Sequence, residues 1–110
     1  MYREIKQLDE FEKALKESPA LLAYFSTDEC NVCKILKPKV GELILSNFPQ
    51  IELAYINLNR AHELAGLYRV FAVPTIVIFF ENRELIRKSR NFGIHELERE
   101  INRPYALLFS

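Results

Sequence analysis

The sequence predicts an α/β fold, with one central mixed sheet of four to five strands and helices on both faces. Three observations predict it. Short apolar runs alternate with amphipathic segments in the order β-α-β-α-β-α-β-β-α, and such alternation implies crossovers between parallel strands. The last two strand candidates are separated only by a polar turn, which makes them an antiparallel hairpin at one edge. Finally, 49% of the 110 residues are hydrophobic. That is enough for one core, and the length leaves no room for a second, so residues 1–110 read as a single domain.

The elements follow in order. "YREI" (2–5) is a short first strand. "LDEFEKALKES" puts Leu8, Phe11 and Leu15 on one helical face, and Ser18 and Pro19 end that helix. "ALLAYFS" (20–26) is apolar without alternation, the pattern of a strand buried on both faces. From 31 to 47, Val32, Ile35, Leu36, Val40, Leu43 and Ile44 recur at helical spacing; Pro38 lies inside this helix and is expected to kink it. "IELAYINL" (51–58) is a second central strand, and residues 60–70 form a helix carrying Leu64, Leu67 and Tyr68. "TIVIFF" (75–80), the turn "ENRE" and "LIRKSRNF" (85–92) form the hairpin. "IHELEREIN" is a last helix with Leu97 and Ile101 on its inner face.

Charge and hydropathy exclude several classes. Fifteen basic and fifteen acidic residues cancel, so no overall field draws the chain to nucleic acid or an anionic membrane. The first thirteen residues are charged throughout, unlike a signal peptide. The longest apolar run, "VFAVPTIVIFF", is too short to span a bilayer and contains a proline. A cytoplasmic location is expected, where a purely structural disulfide is disfavoured.

Both cysteines, Cys30 and Cys33, stand in "DECNVCKILKP" at the junction of a strand and a helix. The spacing allows a disulfide, half of a metal site, or two inert thiols. A metal site would need further ligands, and His62 and His95 lack finger spacing. The junction favours redox chemistry. Unpaired N–H groups of a first helical turn stabilise a thiolate, so the Cys30 pKa should fall below its free value of about 8.5. Cys30, at the exposed end, is the expected nucleophile, and Cys33, one turn further in, the resolving thiol. Asp28 and Glu29 oppose the thiolate while Lys34 and Lys37 favour it, all four being read as solvated.

The chain resembles the thioredoxin family over nearly all its length. The resemblance rests on "LLAYFSTDECNVCKILKP", with Lys34 after the second cysteine and Pro38 five residues after it. It rests also on Val73-Pro74-Thr75 before an apolar strand, and on "YINLNRAHELAGLYRV" between the two. It implies a thioredoxin fold, a cis bond before Pro74, and a substrate segment held at Val73, Pro74 and Thr75. It further implies thiol–disulfide exchange on protein substrates, expected to run as reduction in cell redox homeostasis. A reductase protein would supply the electrons, with no bound cofactor. Lys34 and Glu29 would tune the thiolate.

The chain also departs from the family pattern. It has no tryptophan; Glu29 and Ser26 stand where the family usually has one. The dipeptide between the cysteines is Asn31-Val32. Tyr24 and Tyr55 replace the family's buried aspartate and its lysine partner. Slower resolution by Cys33 follows, unless water or Glu29 acts as the base. Two rival readings stand beside reduction: a disulfide oxidant or isomerase, and a non-catalytic binding module.

Other residues have plainer readings. Arg83, Arg87, Lys88 and Arg90 read as protection of an edge strand, with acidic substrates as the sharper alternative. Asn91 falls near the loop that flanks the family's site. Phe25, Phe71, Phe79, Phe80 and Phe92 read as core. His62 and His95 read as surface residues. In "RPYALLFS", Pro104 should interrupt the last helix. The apolar residues after it either fold back along the Leu97, Ile101, Tyr105, Leu108 face or make a dimer contact. A monomer is expected, with a dimer through the tail as the alternative.

Overall fold

A computed structural model describes every residue, Met1–Ser110. Its elements are β1 (Tyr2–Ile5), α1 (Leu8–Glu17), β2 (Ala20–Ser26), α2 (Asn31–Asn47), β3 (Glu52–Asn57), α3 (Glu63–Leu67), β4 (Thr75–Phe80), β5 (Arg83–Ser89) and α4 (Ile94–Leu108). One five-stranded sheet has the order β1-β3-β2-β4-β5. β3 pairs in parallel with both β1 and β2, while β4 runs antiparallel to β2 and β5 antiparallel to β4. The expected mixed sheet with helices on both faces is therefore present.

β2 is buried along its whole length because it is the middle strand and is covered on both sides. Its side chains alternate. Ala20, Leu22 and Tyr24 join the core that holds Val40 and Ile44 of α2 and Leu97 and Ile101 of α4. Leu21, Ala23 and Phe25 join a second core with Phe11 and Leu15 of α1 and Leu64 of α3. The first residue of α2 follows β2 by only five positions, so the cysteines sit at the end of the most deeply buried strand.

Several boundaries differ from the sequence-based expectation, each for a local reason. α3 covers Glu63–Leu67 rather than 60–70. It ends in a Schellman motif: Arg69 takes φ 55°, its N–H donates to the Gly66 carbonyl, and the Val70 N–H donates to the Ala65 carbonyl. Leu67 is left on the exposed side. β5 begins at Arg83 rather than 85, and ends at Ser89. Glu81 and Asn82 both have positive φ, at 52° and 65°, so they alone make the tight turn, as a two-residue hairpin of type I′ requires. Pairing then shifts between Ile78 and Phe79: Ile78 faces Ile86 while Phe79 faces Glu84. Leu85 is the additional residue of this bulge.

Pro104 does not interrupt α4, which continues to Leu108. The face formed by buried Leu97 and Ile101 carries on through half-buried Tyr105 and Leu108, which pack on the first core. Tyr105 meets Phe48 at 5.1 Å between ring centroids, and its hydroxyl accepts the Gln50 N–H at 3.0 Å. These anchors offset the one hydrogen bond that proline cannot make. α2 likewise remains one helix across Pro38. No helix is long and apolar enough to cross a membrane.

Candidate active site

Cys30 and Cys33 form a disulfide, with their Cα atoms 5.3 Å apart. Cys30 is the N-cap of α2, and its Sγ accepts the Cys33 backbone N–H at 3.2 Å. Helical geometry brings these groups together, since the first-turn N–H groups have no intrahelical acceptor. Cys30 is half-buried, whereas Cys33 lies within the first core. The two sulfurs therefore differ in access.

The loop before Cys30 is held from the β3 side. The Asn57 side chain donates to Asp28 Oδ1 at 2.8 Å, and Asn59 Oδ1 accepts the Asp28 N–H at 2.7 Å. Asn59 also donates to Glu29 Oε1 at 3.3 Å. Both acids are thus turned toward asparagines of β3 and its following loop.

On the other side of the cysteines, the Val73–Pro74 peptide is cis. An open groove of about 350 Å³ joins the two segments, lined by Cys30, Asn31, Val32, Val73, Pro74, Arg90 and Asn91. The loop is fixed in three ways. The Arg90 N–H donates to the Pro74 carbonyl at 2.7 Å. Thr75 Oγ1 donates to the Ala72 carbonyl at 2.6 Å and lies 2.9 Å from Ser89 Oγ. Arg87 reaches back from β5 to donate to the Tyr68 and Arg69 carbonyls, at 2.8 and 3.1 Å.

Of the residues singled out from sequence, the fold brings Cys30, Val73 and Pro74 together in the groove. Thr75 is buried and directs its hydroxyl at the loop instead. Lys34 and Glu29 are exposed and do not line it. Lys37 is not free in solvent: its Nζ lies 3.7 Å from the Tyr55 ring centroid and 5.1 Å from that of Tyr2. Val32 and Ile35 are exposed at 59% and 63%, so the apolar spacing at the start of α2 faces out rather than in. Phe71 is 85% exposed, contrary to the core reading, because it sits on the turn between α3 and the cis-proline. His62 and His95 are on the surface, as expected. Asn91 was placed near this loop from the sequence, whereas Arg90 was read as edge protection; both line the groove because β5 ends at Ser89.

Beneath Cys33 lies an aromatic cluster. Tyr24 is fully buried and donates its hydroxyl to the Cys33 carbonyl at 2.8 Å. Its ring stacks on Tyr55 at 6.2 Å and meets Tyr2 edge-on at 5.9 Å. Tyr2 donates to the Lys37 carbonyl at 2.9 Å, so two phenols support α2 ahead of Pro38. Gly41 permits this approach: a Cβ there would meet Met1 Sδ at 3.0 Å and Tyr2 Cε2 at 3.1 Å. Burial, and then the charge of a neighbouring phenolate, hold Tyr24 and Tyr2 well above the ordinary value of 10.0. Both therefore stay protonated. The buried polar residues are Ser26, Asn57 and Thr75, with no carboxylate among them.

A family model described as Thioredoxin matches residues 3–103. The chain belongs to the thioredoxin family. It is 31% identical over 103 residues to the thioredoxin-like protein YdfQ of Bacillus subtilis, covering 94% of this chain and 91% of that one. Among solved structures, it is similar to a mutant thioredoxin from Halobacterium salinarum. There the TM-score is 0.78 at 25% identity, over 90% of this chain and 86% of the other. The oxidized mitochondrial thioredoxin 3 of Saccharomyces cerevisiae shares the fold, with a TM-score of 0.82 at 22% identity, over 92% and 93% of the two chains. With its bonded Cys30–Cys33 pair, this thioredoxin-family chain is a thiol–disulfide oxidoreductase.

Proposed function

We propose that the chain reduces disulfides of protein substrates, with Cys30 as nucleophile and Cys33 as resolving thiol. The observation that carries this reading is the Cys30–Cys33 bond at the helix terminus, with its outer sulfur opening on the groove beside cis-Pro74. In the reduced form, first-turn N–H groups favour negative charge on Cys30. The Cys30 thiolate attacks one substrate sulfur and forms a mixed disulfide, and the other substrate sulfur leaves as a thiolate that takes a proton. Cys33 loses its proton and attacks the Cys30 sulfur. The Cys30–Cys33 bond forms, and the second substrate thiolate is released. A reductase protein then returns two electrons and two protons.

Val73 offers backbone to an extended substrate segment, a mode tolerant of substrate sequence. Pro74 has no N–H to compete for the sulfur. Lys34 and Glu29 act on the thiolate only through solvent, and Thr75 acts by holding the loop. The domain, residues 1–110, works as a monomer in the cytoplasm. Use of Tyr105, Leu108 and Phe109 within the chain's own core supports the monomer.

The test is a trap. Cys33→Ser should accumulate a mixed disulfide with substrate proteins, resolved on non-reducing gels, while Cys30→Ser should form none. Equal trapping by both variants would contradict the assigned roles.

A further inference from the structure

Of the basic residues of β5 and the loop after it, Arg87 and Lys88 are paired with carboxylates, while Arg83 and Arg90 make no ion pair and only Arg90 lines the groove. Arg87 pairs with Glu84 at 2.9 Å and is occupied by the Tyr68 and Arg69 carbonyls. Lys88 is held between Glu96 and Glu100 of α4. Arg83 pairs in register with Phe80, at the opposite end of β4 from Pro74. None of these three lines the groove.

Arg90 differs from them. It is the only charged residue among the seven that line the groove with Cys30. It is exposed and makes no ion pair, whereas Arg87 and Lys88 of β5 are both bonded to carboxylates. Its backbone is not loose: the N–H is tied to the Pro74 carbonyl at 2.7 Å, and φ is 59°. The chain therefore anchors the backbone that carries this guanidinium to the cis-proline segment, while the side chain itself stays exposed and unpaired.

The charge of the groove is one-sided, because the acids nearest Cys30 in sequence lie outside its lining. Asp28 and Glu29 precede Cys30 and are bound toward Asn57 and Asn59, on the β3 side. Arg90 stands on the β5 side, and the strand order β3-β2-β4-β5 separates the two. The remaining lining is neutral or apolar. A substrate segment crossing this surface meets a positive charge at one side of the reacting sulfur.

We propose that Arg90 is a specificity-determining residue, selecting disulfide substrates that carry an acidic side chain beside the reacting cysteine. The proposal rests on the reductase reading above and names its substrate class. Its origin is charge complementarity, since a carboxylate is the partner that an unpaired guanidinium on an anchored backbone lacks.

The experiment uses synthetic peptide disulfides with Glu, Gln or Lys next to the cysteine, and neutral bis(2-hydroxyethyl) disulfide as reference. kcat/KM is measured for the wild type, Arg90→Gln and Arg90→Glu. The wild type should favour the Glu peptide over the Lys peptide by about three- to tenfold at low ionic strength, less at high salt. Arg90→Gln should flatten that ratio and Arg90→Glu should reverse it. Taking a ratio within each variant cancels any change in Cys30 reactivity or in folded fraction. An unchanged ratio in Arg90→Glu, with exchange intact, would overturn the inference alone. No exchange with any disulfide, the neutral one included, would overturn the reductase reading and the inference with it.

Discussion

At the scale of single residues, Tyr24 is the most consequential departure from the family pattern. Its hydroxyl holds the Cys33 carbonyl but, being protonated, cannot take the Cys33 proton. On the mechanism proposed above, resolution of the mixed disulfide then uses a base from solvent, since Glu29 is bound to Asn59 and lies off the groove. Tyr24→Asp should shorten the lifetime of the mixed disulfide; an unchanged or longer lifetime would contradict this role. Tyr24→Phe removes only the hydroxyl and should cost about 1 kcal/mol of stability in a denaturant titration. The same phenol predicts a pH effect. Its folded-state pKa is raised, so the stability it contributes is complete below 10.0 and is lost as pH rises beyond that value. Melting temperature should fall above that point in the wild type and fall less steeply in Tyr24→Phe. The absence of a buried acid was legible from Tyr24 in the sequence. The hydroxyl's partner was not, because it depends on how α2 lies over β2.

At the scale of elements, sequence pattern was strongest where burial is two-sided. β2, β3 and β4 were recognisable because uninterrupted apolar runs, at 20–25, 53–56 and 76–80, admit few alternatives. The ends of α3 and β5 were less legible. Each is set by residues other than glycine in left-handed backbone, Arg69, Glu81 and Asn82, and composition does not announce these. Arg69→Gly should therefore stabilise the chain by up to about 1 kcal/mol, read by chemical denaturation. Arg87 joins elements: it ties β5 to the end of α3 and so to the loop bearing Pro74. Arg87→Ala should cost about 1–3 kcal/mol and increase hydrogen exchange across residues 68–73. The tail is decided by packing rather than propensity. Removing residues 104–110 strips Tyr105 from Phe48, and should lower stability by roughly 2–4 kcal/mol without changing the state of association. A halved mass on truncation would show instead that the tail holds a dimer.

At the scale of the whole molecule, the sheet order explains how separate segments become one site. Cys30 follows β2 and Pro74 precedes β4; these strands are antiparallel neighbours, so the end of one lies beside the start of the other. β3 supplies the asparagines on one side and β5 leads to Arg90 on the other. The layered fold could be read from the alternation of elements, and the cysteine pair and the cis-proline through the resemblance to the thioredoxin family. The charge of the groove could not, because it depends on β5 ending at Ser89 and on which basic residues Glu84 and α4 neutralise. The measurement that most directly tests the account is the reduction potential of the Cys30–Cys33 couple, equilibrated against glutathione with Cys30→Ser as control. The account predicts a reversible two-electron couple near thioredoxin's, about −270 mV. A potential above roughly −200 mV would make the protein an oxidant or isomerase, and the lack of any reversible couple would contradict the redox role itself.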